Sequence, residues 1–126
     1  MAPGTIYIAG YDAFMKFVEG IKDNETVNMY FSGSKDERGS SWCPDCVRAE
    51  PVVKEAVAKY ASDDAKFVYI DVGDRATWKD PKCPFRTNKN TYLSVIPTLL
   101  RWKSPQKLEG PQCENPDLLE MFFTED

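Results

Sequence analysis

The stretch from Thr26 to Ile70 constrains the fold more than any other part of the chain. Thr26 to Phe31 reads as a strand closed by Ser32-Gly33-Ser34, and Ser34 to Ser41 (SKDERGSS) is polar, charged and loop-like. Pro44 to Tyr60 follows as a helix with Ala49, Val53, Ala56, Val57 and Tyr60 on one face. Pro51 falls inside it, so a kink is expected there. Phe67-Val68-Tyr69-Ile70 is then an apolar run between charged flanks, as a central strand covered on both faces would be. Strand, helix and strand in alternation require a sheet with helices packed on it.

The flanking segments extend this pattern. Thr5-Ile6-Tyr7-Ile8 has the β-branched and aromatic content of a strand, and Phe14, Phe17, Val18 and Ile21 form one helical stripe. Residues 73–94 are mixed and interrupted by proline, and predict one or two short helices. Pro97 to Trp102 and Gln106 to Glu109 flank Ser104-Pro105 and suggest a hairpin. Asn115-Pro116 places a cap and a first-turn proline before a final helix through Phe123. The expected order is β-α-β-α-β-(α)-β-β-α: an α/β fold with a central mixed β-sheet flanked on both faces by helices. With 126 residues the chain is expected to form one domain, 1–126, large enough to bury a core without staples.

Charge and residue usage exclude several functions. Sixteen basic against twenty acidic residues leave a net charge of −4, which disfavours a general nucleic-acid binder. No histidine is present, so Ser-His-Asp and Cys-His catalysis, histidine-ligated zinc and imidazole acid–base chemistry are all removed. Nothing at the amino terminus reads as a targeting signal: the first basic residue is Lys16, and Pro3, Gly4, Gly10 and Asp12 interrupt any apolar stretch. Apolar runs are too short to span a membrane. Cytoplasmic location is therefore expected. Its four cysteines should rest mostly reduced, which favours redox, metal-binding or buried roles over structural bridges.

Trp42-Cys43-Pro44-Asp45-Cys46 carries the chemistry. If Cys43 is the N-cap, Pro44 is the first helical residue, where its missing N–H costs nothing, and Cys46 is the third. The Cys43 sulfur then faces unpaired backbone donors, and Cys46 lies close enough to bridge it. A helix terminus stabilises negative charge by up to ~2 kcal/mol, which would bring a thiol pKa from ~8.5 toward ~7. Asp45 opposes this by repelling the thiolate; it disfavours the dithiolate and so favours a reductant over an oxidant.

With these residues in view, the chain resembles the thioredoxin superfamily: Trp-Cys-x-x-Cys after a strand, Pro51 five residues beyond the second cysteine, and Ile96-Pro97-Thr98 opening a later strand. The closer resemblance is to the small cytosolic thioredoxin-related family, Clot or thioredoxin domain-containing protein 17. Ser34-Lys35-Asp36, Trp42 to Cys46, Trp78-Lys79-Asp80-Pro81 with Phe85-Arg86, Pro97 to Leu100 and Pro105 to Leu108 carry it. The resemblance implies a thioredoxin fold and a disulfide reductase narrower in range than thioredoxin, with Cys43 attacking and Cys46 resolving. It implies no bound cofactor, electrons from NADPH through a thioredoxin reductase, and a monomer acting on disulfide-containing proteins or small disulfides such as cystine. Nitrosothiols and weak peroxide reduction are implied as well. Pro97 would be cis and, with Ile96, would position substrate beside the cysteines, while Trp42, Pro44 and Asp45 would tune the motif.

Many thioredoxins carry a buried acid in the strand before the motif; Thr26 to Ser32 has none, so Asp45 or water must serve Cys46. Cys83 has no family role. Plainer readings remain beside these. Cys43 and Cys46 could be half of a zinc site, although Cys83 and Cys113 lack the spacing of a second pair. Cys83 and Cys113 read as free or buried thiols, and Trp78 and Trp102 as core or cover. Alternatively, the chain could be a binding or signalling adaptor whose cysteine pair is a redox-sensitive docking surface.

Overall fold

The computed structural model describes residues 5–124. Pro3 and Gly4, on which the argument against a leader partly rests, lie outside them. Five strands form one sheet: β1 (Thr5–Ala9), β2 (Val27–Ser32), β3 (Lys66–Asp71), β4 (Thr98–Arg101) and β5 (Lys107–Glu109). The order is β1-β3-β2-β4-β5. β3 runs parallel to both β1 and β2, while β4 is antiparallel to β2 and β5. The sheet is mixed, as the alternation of elements requires.

Helices α1 (Tyr11–Glu19), α2 (Pro44–Tyr60), α3 (Arg75–Lys79), α4 (Pro84–Thr87) and α5 (Pro116–Thr124) cover it. Successive side chains of β2 point to opposite faces. Met29 and Phe31 therefore pack with Phe14, Trp78 and Phe85 on one side, and Tyr30 packs with Ala49, Val53, Cys113 and Leu119 on the other. Phe14, Phe31 and Phe67 are fully buried, each stabilising the fold by roughly 2–3 kcal/mol over exposure.

Two boundaries differ from the sequence expectation. The stripe through Ile21 predicts a longer α1, but the helix ends at Glu19 with Gly20 as its C-cap. The chain tightens there, with Gly20 N–H donating to Phe17 O and Ile21 N–H to Val18 O, so Ile21 reaches the core from outside the helix. A 3₁₀ turn at Gly110–Glu114 follows β5 and has no counterpart in the expected order. Residues 73–94 hold two short helices, and α2 continues through Pro51 as a single helix.

Candidate active site at the amino end of helix α2

β2 ends at Ser32 and the chain makes a polar excursion before α2 begins at Pro44. This excursion is tightly ordered. Asp36 Oδ1 accepts from the Arg38 and Ser40 amides at 2.9 and 3.1 Å, Lys35 bridges Ser41 in antiparallel fashion, and Lys35 Nζ pairs with Glu50 of α2 at 2.7 Å. The Ser41 hydroxyl donates to Gly33 O at 2.9 Å and accepts from the Cys43 amide at 3.1 Å. One serine thus ties the end of the loop to both the strand and the cysteine.

Cys43 is the N-cap of α2 and Pro44 opens the helix. The Cys43 sulfur accepts from the Cys46 amide at 3.2 Å, so one of the helix's unpaired donors is spent on the sulfur. Cys43 and Cys46 are within disulfide reach, joined through their sulfurs with Cα atoms 5.2 Å apart. Both residues are buried, Cys43 5% and Cys46 1% exposed. Asp45 pairs with Arg48, whose Nε also reaches Glu114 at 3.4 Å. A compensated, half-exposed carboxylate repels a neighbouring thiolate less than a bare one does.

The Ile96–Pro97 bond is cis and sits opposite the helix start, with the Cys43 sulfur 3.9 Å from Ile96 O. Three contacts hold this loop from behind. The fully buried Thr98 hydroxyl donates to Val95 O at 2.8 Å, Gly110 N–H donates to Pro97 O at 2.8 Å, and Cys113 Sγ lies 3.9 Å from the same oxygen. Gly110 has φ +58, a left-handed conformation that suits glycine. Burial pushes the Cys113 thiol up to about 12, so it stays protonated at neutral pH.

Trp42 closes the other side. Its indole Nε1 donates to Gly73 O at 2.9 Å, anchoring the ring to the loop after β3. Gly73 O also accepts from the Ser34 amide at 3.0 Å. Trp78 is buried with the Arg86 guanidinium 3.9 Å above its ring, and Trp102 packs against Phe14.

Motif and cis loop thus come together across 53 positions of the chain. Sequence reasoning missed Ser41, Gly33, Gly73, Thr98 and Gly110. Ser41 alone carried a local signal, the short side-chain-to-backbone turn that serine makes two residues before a capped amide. Cys83 and Cys113 are separately buried and unbridged. Among the described residues no three metal-ligating side chains converge, and no helix is long and apolar enough to cross a membrane. The strand before the motif carries no acid, but Tyr30 on it buries a hydroxyl that finds no hydrogen-bond partner among the described residues, and burial raises its pKa.

Comparison with known proteins agrees with this geometry. The profile of the thioredoxin domain-containing protein 17-like family, thioredoxin domain, matches residues 7–125. The chain is 45% identical over 121 residues to human thioredoxin domain-containing protein 17, covering 96% of this chain and 95% of the relative. It is 35% identical over 94 residues to the Arabidopsis thaliana thioredoxin-like protein Clot, covering 72% and 69%. Among solved structures, Schistosoma mansoni thioredoxin superposes with a TM-score of 0.58 at 22% identity, covering 94% of this chain and 92% of that one. Oxidised mitochondrial thioredoxin 3 of Saccharomyces cerevisiae gives 0.57 at 22%, with the same coverage. These two likenesses establish a thioredoxin fold.

Proposed function

The chain belongs to the thioredoxin domain-containing protein 17-like family, and from that premise we propose that it is a thiol–disulfide oxidoreductase working in the reducing direction. The Cys43 thiolate attacks one sulfur of a target disulfide; that bond breaks, and the departing thiolate takes a proton from solvent. Cys46 then attacks Cys43 Sγ, releases the second target thiol and leaves the Cys43–Cys46 disulfide. Two electrons have moved from the dithiol to the target.

One observation carries this reading: the Cys43 sulfur caps α2, accepts the Cys46 amide at 3.2 Å and lies within bridging reach of Cys46. Donors aimed at a sulfur favour its anion, the form that attacks and leaves. The role of Ile96 and Pro97 is to offer backbone groups to an extended substrate, with Ile96 O already 3.9 Å from the sulfur. Trp42 walls the approach, and Pro44 and Asp45 shape the helix start. Either Asp45 or water takes the proton of Cys46.

The ordered loop from Lys35 to Ser41 supports a range narrower than that of thioredoxin. Pinned to α2 through Lys35 and Glu50, it presents a fixed shoulder beside Cys43. Small disulfides such as cystine and accessible protein disulfides fit such a site; nitrosothiols and weak peroxide reduction would draw on the same thiolate. The reading includes one cytoplasmic domain, 1–126, acting as a monomer, with no bound cofactor and electrons from NADPH through a thioredoxin reductase.

The test is NADPH oxidation coupled through thioredoxin reductase, with cystine as acceptor. Cys43→Ser should abolish turnover, and Cys46→Ser should trap a mixed disulfide visible by intact mass. Full turnover in the Cys43→Ser protein would end this reading.

A further inference from the structure

We propose that the concavity between residues 89–92 and the β4–β5 turn binds a small organic phosphate. Its volume is about 350 Å³, and its walls are Lys89, Asn90, Thr91 and Tyr92 on one side and Leu100, Arg101 and Lys103 to Lys107 on the other. That is room for a molecule of nucleotide size rather than for a bare ion.

The charge of this concavity runs against the rest of the chain. The protein carries a net charge of −4, yet Lys89, Lys103 and Lys107 line the space together and no Asp or Glu does. Lys107 is committed to the scaffold. Its Nζ reaches Thr91 O at 3.3 Å, Tyr92 O at 3.4 Å and Glu109 Oε2 at 3.6 Å, which holds the 89–92 segment against β5. Lys89 and Lys103 are exposed and make no ion pair among the described residues. Arg101 lines the space as well, but its guanidinium is turned to Asn28 and Phe122. Two flexible ammonium groups therefore flank the space with nothing to neutralise them, and phosphate oxygens are the acceptors such groups take.

The second component is apolar. Tyr92 is 63% exposed at the rim of the same concavity, an aromatic face beside the lysines. Tyr92 and Lys103 are also the two non-glycine residues with positive φ among those described, +42° and +57°, and they stand on opposite walls. An aromatic ring and paired cations around one open volume suit a ligand with a planar group and a phosphate. β4 runs away from Pro97, so Leu100, which lines the concavity, lies about 10 Å along that strand from Pro97, and no cysteine lines the space. The two sites are separate, and occupancy of this one requires no thiol.

Amide-resolved NMR titration of the oxidised protein at low salt tests the assignment, with adenosine monophosphate, inorganic phosphate and adenosine as probes. Adenosine monophosphate should give saturable shifts confined to residues 89–92 and 103–107, at least tenfold tighter than either inorganic phosphate or adenosine. Lys89→Gln with Lys103→Gln, both exposed, should weaken nucleotide binding at least tenfold and leave cystine reduction unchanged. Shifts that do not saturate, that survive the double substitution, or that are equal for nucleotide and inorganic phosphate would overturn the proposal. The readout uses no reductant, so a failure here leaves the disulfide chemistry untouched, and the reverse holds too.

Discussion

The indole of Trp42 lies so close to Gly33 that a Cβ at position 33 would stand 2.7 Å from Trp42 Cε2 and 2.8 Å from Nε1. The ring cannot retreat freely, because its Nε1 is bonded to Gly73 O. Glycine at 33 is what lets the strand end and the aromatic wall occupy adjacent space.

Gly33→Ala should therefore displace the ring and break its anchor. Overpacking of this kind costs roughly 1–3 kcal/mol. Urea unfolding should show that loss, with tryptophan emission shifted to the red as Trp42 meets water. An unchanged midpoint and spectrum would mean that the wall tolerates the methyl group.

Thr98 is expected to set the cis loop through its hydroxyl. Thr98→Val keeps the volume and removes the bond to Val95 O, a loss of about 1 kcal/mol in stability. If the bond also orients Ile96 O against Cys43, kcat/KM for cystine should fall roughly fivefold. Thr98→Ser should restore most of it. Equal activity in the valine and serine proteins would assign Thr98 to packing alone.

The buried Tyr30 hydroxyl finds no hydrogen-bond partner among the described residues. Removing it should help. Tyr30→Phe is expected to raise stability by about 1 kcal/mol in urea, since an unsatisfied buried polar group costs about 1–3 kcal/mol. A loss of that size would show that the hydroxyl is satisfied in solution.

The Cys113 thiol is raised by burial, so the folded state holds its proton more tightly than the unfolded chain does. Its contribution is complete below ~8.5, the unfolded value, and is lost as pH climbs toward about 12. Between pH 8.5 and 10, unfolding free energy should fall by up to about 1 kcal/mol per pH unit. Cys113→Ala should flatten that slope. Tyr30 and Tyr69, also raised by burial, add to it above ~10, so the comparison belongs below that pH.

Arg48 compensates Asp45, which the sequence presents as a bare charge beside Cys43. Arg48→Gln should uncover that charge and slow alkylation of reduced Cys43 by iodoacetamide at pH 7, while Asp45→Asn should speed it slightly. Identical rates in all three proteins would remove Asp45 from the tuning of the thiol.

Much of this site was legible because its signals are local. Proline after Cys43 and the three-residue step to Cys46 specify a capped helix start, and α2 occupies Pro44–Tyr60 as its apolar face predicts. The end of α1 is not legible in the apolar stripe, because Ile21 keeps the helical spacing while Gly20, one residue earlier, stops the helix. The 3₁₀ turn at Gly110–Glu114 has too few residues to show a period.

From the amino acids alone came the alternation of elements and the two sulfurs at one helix terminus, since each is written in neighbouring residues, and the absence of imidazole chemistry, which is a matter of composition. Tertiary structure alone decided what faces those sulfurs. Ile96 O meets Cys43 across 53 positions and Gly73 O meets Trp42 across 31. Such meetings depend on strand order and on the packing of both sheet faces at once, and no window of neighbouring residues contains that information.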